Sequence, residues 1–283
     1  MWINRKPLLI GVGARDALEA RLIEEAGFDF IWSSSLAVSA AYGVPDASLI
    51  SMNQFLESAR SMREAVRIPV VIDGDSGYGD ERNTAYAVKR FEEGGLGGVC
   101  FEDNRFPKEN SLLPDGCNDP APIEEFAGKI RAAVETRRSV DFVVIARVEA
   151  LIAGLGQAEA ILRANTYADA GADMILMHSK STSPEEVLEF VDRWDGRVPL
   201  VLVPTTYPSL TAERAARLPK VRMLIYANQV LRAGIKAQQE VLKEIRRAGG
   251  IQTLDERLVP MDRVFKLQES EPLRRRGKKP EHV

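Results

Sequence analysis

Cysteine and histidine are both scarce in this chain of 283 residues, at two each. Cys100 and Cys117 are too few for a disulfide scaffold or a cysteine-based zinc cluster. His178 and His282, the latter close to the C-terminus, make a multi-histidine metal site improbable on counting alone. No strong excess of one charge is present: 38 basic against 41 acidic side chains leave a formal net charge of -3. That disfavours a nucleic-acid binder relying on a bulk basic field. The opening MWINRKPLLIGVG has an apolar run too short, and too soon broken by glycine, for a signal peptide or membrane span. The expectation is a soluble cytoplasmic enzyme.

Hydrophobic residues at 45% and charged residues at 28% are ordinary globular values. The length allows one large barrel or a pair of small domains. Eight short Val/Ile-rich runs recur, at 8–12, 28–32, 69–73, 98–103, 142–148, 173–178, 200–204 and 222–226. Each is apolar on both faces, as buried parallel strands are. Helical patterns lie between them at 16–26, 51–66, 82–93, 123–137, 157–170 and 185–193. Several close on a glycine suited to a left-handed cap, such as Gly27 and Gly171. This alternation predicts a (β/α)₈ TIM-type barrel over 1–250, with a doubly wound open sheet as the alternative. Residues 228–249 read as one long amphipathic helix. Residues 251–270 read as a helical extension, packed on a neighbouring subunit or back on its own barrel. The run at 271–283 reads as a charged, solvated tail.

Barrel chemistry collects where strands end. The third strand ends Asp73-Gly74-Asp75, and alternation puts both carboxylates on one side. The fourth ends Glu102-Asp103, the fifth carries Arg147 and Glu149, and the sixth ends at His178. Asp73, Asp75 and Glu102 gathered at one mouth repel unless a cation stands among them. An all-oxygen donor set points to Mg²⁺ or Mn²⁺ rather than zinc. Arg147 suits a phosphate or carboxylate, with pairing to Glu149 as the structural alternative. The aperiodic stretch 103–119 (DNRFPKENSLLPDGCND) is long enough to be a lid. Its Lys108, Asn110 and Ser111 could meet a substrate.

The segments IWSSSLAVSAAYGVPD, DGDSGYG, EDNRFPKENS, IARVEALIAGLG and ILMHSK together resemble the phosphoenolpyruvate mutase branch of the isocitrate lyase superfamily. The resemblance implies a direct Mg²⁺ ligand at Asp73, with Asp75 and Glu102 acting through water. It implies a pyruvyl cradle at Trp32, Ser34 and Leu36, and a required aspartate at Asp46. Arg147 and His178 would hold phosphoryl oxygens, and Lys108 and Asn110 would close over the substrate. It further implies a homo-oligomer, dimer or tetramer, with exchanged C-terminal helices. The reaction would interconvert phosphoenolpyruvate and phosphonopyruvate, or hydrolyse the latter, with a superfamily C–C lyase acting on a 2-hydroxy or oxaloacetate-like acid as a further alternative. The superfamily's lyases carry a KKCGH-type lid absent here, which disfavours C–C cleavage of the isocitrate kind. An inactive metabolite-sensing barrel is the rival from another class. Asn110-Ser111 resembles the mutases, whereas the hydrolase carries Thr-Ser. Two positions depart from the family pattern: Asn104 stands where a lysine is usual, and Ser35 where a glycine is usual.

Overall fold

The computed structural model describes residues 1–113, 119–254 and 257–269. The expected tail, His282 and Cys117 lie outside the described residues. Two compact units divide the chain, 1–231 and 232–283.

The first unit is a closed barrel of eight parallel strands in sequential order. They are β1 (Leu9–Ala14), β2 (Phe30–Ser33), β3 (Val70–Asp73), β4 (Gly98–Glu102), β5 (Val143–Val148), β6 (Met174–Met177), β7 (Leu200–Leu202) and β8 (Val221–Tyr226). All eight expected runs are strands, and β1 pairs with β8, which excludes the open sheet. The outer layer holds α1 (Ala17–Glu25), α2 (Ser35–Ala41), α3 (Met52–Ala65), α4 (Glu81–Glu93), α5 (Ile123–Thr136), α6 (Gly156–Asp169), α7 (Glu185–Arg193) and α8 (Ala212–Ala216). The six expected helices are present. The short α2 and α8 were not anticipated: SLAVSAA and AERAA are too brief for a helical period to show.

Local chemistry starts the longer helices. Ser51 and Gln54 form a reciprocal capping box on α3, and Asp80 and Asn83 do the same on α4. Asp16 accepts from Glu19 N at 2.8 Å to start α1. Because each strand is apolar on both faces, burial is divided into two layers. Phe30, Val71, Ile145, Leu176, Val201 and Ile225 fill the barrel interior. Ile31, Ile72, Val144 and Ile175 face the helices instead. A 3₁₀ turn, Trp2–Asn4, closes the N-terminal end, where the Trp2 indole donates to Gly97 O at 3.0 Å. Chemistry is therefore confined to the opposite rim.

The second unit holds most of α9 (Gln229–Ala248) and α10 (Met261–Leu267). Among the described residues no helix is long and apolar enough to cross a membrane.

Barrel closure depends on a missing side chain. A Cβ on Gly13 would lie 1.9 Å from the Ala227 carbonyl oxygen, across the β1–β8 seam. Gly27 has open space around it but a φ of +84°. Gly13→Ala is therefore expected to cost about 2–3 kcal/mol through overpacking. Gly27→Ala should cost about 1 kcal/mol through backbone strain alone. Urea midpoints of the two variants check this ranking.

Candidate active site

Side chains at the C-terminal rim of the barrel enclose a cavity of about 570 Å³, counting its open mouth. Of the twelve residues expected to form a site, eleven line it: Trp32, Ser34, Leu36, Asp46, Asp73, Glu102, Lys108, Asn110, Ser111, Arg147 and His178. Asp75 is the exception among them.

Asp75 corrects the alternation argument. β3 ends at Asp73, and Asp75 sits beyond it in the left-handed region with φ 49°. A turn, not the strand pleat, sets its direction. The loop is held by the fully buried Lys129 of α5, which donates to Ser76 O at 2.9 Å.

Lys108 departs furthest from expectation. Its ammonium lies inside the acidic cluster: 2.6 Å from Asp75 Oδ1, 3.2 Å from Asp46 Oδ1 and 3.8 Å from Glu102 Oε1. It also donates to Ser35 Oγ at 3.1 Å, and Ser35 Oγ donates to Asp73 Oδ2 at 2.9 Å. The lysine side chain is long enough to carry its charge to buried carboxylates that would otherwise lack compensation. Burial alone would depress its pKa. Asp75, Glu102, Asp46 and Asp73 reverse this and hold the group well above the ordinary lysine range. Burial pushes Asp73 up and Asp75 up to about 7, against the opposing charge of Lys108. The Ser35 and Asn104 departures also acquire roles. Ser35 bridges Lys108 to Asp73, and Asn104 Nδ2 donates to Glu102 Oε1 at 3.2 Å.

The oxygen-only donor set fits a hard divalent cation, and Asp75 Oδ2 is buried with no hydrogen-bond partner. Among the described residues, however, no three acidic, imidazole or thiol groups are placed to hold an ion directly.

Asn110 Nδ2 donates to Asp46 Oδ2 at 2.7 Å, and Asn110 Oδ1 accepts from Leu112 N at 3.0 Å. Arg147 makes the pairing with Glu149 that was its structural alternative. Its Nε pairs with Glu149, its Nη2 donates to Ser111 Oγ at 3.1 Å, and its Nη1 lies 3.6 Å from Glu102 Oε2. His178 is 3% exposed, and burial with the nearby Arg147 charge pushes its pKa down to about 3. It is a neutral imidazole in the cavity wall at any ordinary pH.

Beneath the rim, Asp103 is fully buried and ties four segments together. Its Oδ1 accepts from Glu149 N at 2.8 Å, and its Oδ2 accepts from Arg163 Nη1 at 3.0 Å and Tyr167 OH at 2.8 Å. Arg163 Nη1 also donates to Ala121 O at 3.0 Å, and Ala121 N donates to Asp103 O at 2.7 Å. Both stems of the 104–120 segment are thus fastened to α6 and to the exit of β5.

Sequence reasoning missed Thr205 and Asn228, which line the cavity from the ends of β7 and β8. The strand-end rule applied to the first six strands would have found both.

Two outcomes are expected. Arg163→Met leaves the Asp103 carboxylate buried without its cation and should cost about 3 kcal/mol, whereas Tyr167→Phe should cost about 1 kcal/mol; calorimetric or urea unfolding measures both. For His178, the unfolded chain takes up a proton below about pH 6.5 while the folded chain does so only near 3. Its stabilisation is full above 6.5 and is lost as pH falls from 6.5 toward 3. Between pH 7 and 5 that amounts to about 2 kcal/mol. His178→Asn should lack this part of the acid sensitivity in paired unfolding curves at the two pH values.

The geometry has counterparts. A family model described as phosphoenolpyruvate phosphomutase matches residues 3–246. The phosphonopyruvate hydrolase of Variovorax sp. is 48% identical over 94% of this chain and 92% of its own. A crystal structure titled as phosphoenolpyruvate phosphomutase from Streptomyces platensis subsp. rosaceus is 43% identical. It superposes with a TM-score of 0.94 over 97% of this chain and 95% of that one. A phosphonopyruvate hydrolase structure, titled as a complex with oxalate and Mg²⁺, is 46% identical, with a TM-score of 0.89 over 94% and 92%. With a closed barrel, an acidic rim and a match running through nearly the whole barrel, the chain belongs to the phosphoenolpyruvate phosphomutase family.

Proposed function

We propose that this protein interconverts phosphoenolpyruvate and phosphonopyruvate. In the forward direction the bond from phosphorus to the enol oxygen breaks and a phosphorus–carbon bond forms at carbon three. The observation that supports the mutase reading most is the Asn110 amide bonded to Asp46 at 2.7 Å, with Lys108 beside it. In this reading an amide fixed there would deny a nucleophilic water its place beside the phosphoryl group.

Asp73, with Asp75 and Glu102, would hold a divalent ion, as suggested by the Mg²⁺ of the hydrolase relative. When bound, that ion supplies positive charge for the carboxylate and enolate oxygen of the pyruvyl part. The remaining work falls to side chains of this chain. Trp32, Ser34 and Leu36 orient the pyruvyl part, and Arg147 and His178 hold the phosphoryl oxygens. Ser111 steadies the Arg147 guanidinium. Loose phosphoryl transfer depends mainly on such positioning and electrostatics. We also infer a homo-oligomer, since Leu242 and Phe265 of the second unit expose apolar side chains.

The second reading is phosphonopyruvate hydrolysis, favoured by the 48% identity to the Variovorax enzyme. There a water oxygen bonds to phosphorus, the carbon–phosphorus bond breaks, and carbon three takes a proton. Phosphorus NMR of the protein with phosphonopyruvate and Mg²⁺ separates the two. Phosphoenolpyruvate is expected, and rapid accumulation of inorganic phosphate overturns the mutase reading. Asp46→Ala, which releases Lys108 and Asn110 together, is expected to lower turnover by about 10³-fold.

A further inference from the structure

The charged wall of the cavity comes from the ends of β2 to β5, where Lys108 and Arg147 stand among the carboxylates. The wall from β6 to β8 differs. His178 Nδ1 and Asn228 Oδ1 are buried, line the cavity and have no hydrogen-bond partner. Their residues are only 3% and 7% exposed. Thr205 Oγ1, in the loop that leaves β7 between them, is likewise buried and without a partner. Buried polar groups are normally satisfied, and an unmet group costs about 1–3 kcal/mol. Three such groups just beyond the ends of adjacent strands, lining one cavity, mark a place where a ligand supplies the missing partners.

The chemistry of that ligand follows from the groups themselves. None of the three carries a charge: His178 is held neutral, and the others are a hydroxyl and a carboxamide. A hydroxyl can turn to donate or accept. A half-turn of the carboxamide offers either its oxygen or its NH₂, and neutral imidazole has one donor and one acceptor nitrogen. Such a set suits a tetrahedral group, whose three outer oxygens can meet three partners at once, better than a planar carboxylate with only two. Arg147, on the neighbouring strand β5, supplies the full positive charge.

We propose that Thr205 and Asn228, together with His178, form the subsite that receives the outer oxygens of the phosphoryl or phosphono group, and that they select such a group over a second carboxylate. This rests on the reaction proposed above. Binding in the presence of Mg²⁺, measured by calorimetry, tests it with two ligands. Oxalate fills only the pyruvyl part of the site, and sulfopyruvate carries a non-transferring tetrahedral sulfonate. Asn228→Ala and the isosteric Thr205→Val should each weaken sulfopyruvate about tenfold, while oxalate binding stays within about twofold and reports that the site is folded. Unchanged sulfopyruvate affinity in both variants, or equal losses for both ligands, overturns the subsite and leaves the reaction standing. A wild-type protein that binds oxalate but not sulfopyruvate overturns the reaction and the subsite together.

Discussion

The rim of this barrel depends on one ammonium group placed among carboxylates. Asp46, Asp75 and Glu102 lie within 4 Å of Lys108 Nζ, and Asp73 is reached through Ser35. Without a compensating charge such a cluster would take up protons or splay apart, because several buried anions cannot share a low-dielectric space. Lys108 therefore has a structural consequence beyond any contact with substrate. It draws the segment that follows β4 down onto the rim, and Asn110 and Ser111 come with it, onto Asp46 and Arg147 respectively.

The barrel was legible because its signal is repeated. Eight doubly apolar runs separated by helical periods leave little freedom once the chain is known to be compact, and closure needed only the β1–β8 pairing. Glu102 and Arg147 were legible at strand ends, and Lys108, Asn110 and Ser111 in the aperiodic stretch after β4, whereas Asp46, Trp32 and Leu36 were legible only through motif resemblance. What could not be read was direction. Nothing in DGDSGYG reveals that Asp75 adopts a left-handed backbone, so strand alternation gave a plausible but mistaken reason for its position. Nothing in PKENS reveals that its lysine turns onto the rim carboxylates themselves. These are tertiary choices, settled by charge compensation among residues up to 62 positions apart.

The two departures from the family pattern are explained by the same accounting. Ser35 adds a hydroxyl that both donates and accepts, joining Lys108 to Asp73. Asn104 gives Glu102 a neutral donor, and the positive charge near that carboxylate comes from Lys108 and Arg147. Charge at the rim is thus redistributed between positions. A reading confined to single alignment columns would count it as lost.

The fastening of residues 104 and 120 to each other, and of Asp103 and Ala121 to Arg163, has an evolutionary consequence. Whatever lies between two stems anchored so firmly can change in length without disturbing the strands beneath, provided a cation still reaches the rim carboxylates as Lys108 does. An insert held in this way is free to vary around one fixed cation, a route by which barrels of this design could diverge in chemistry while the strands stay as they are.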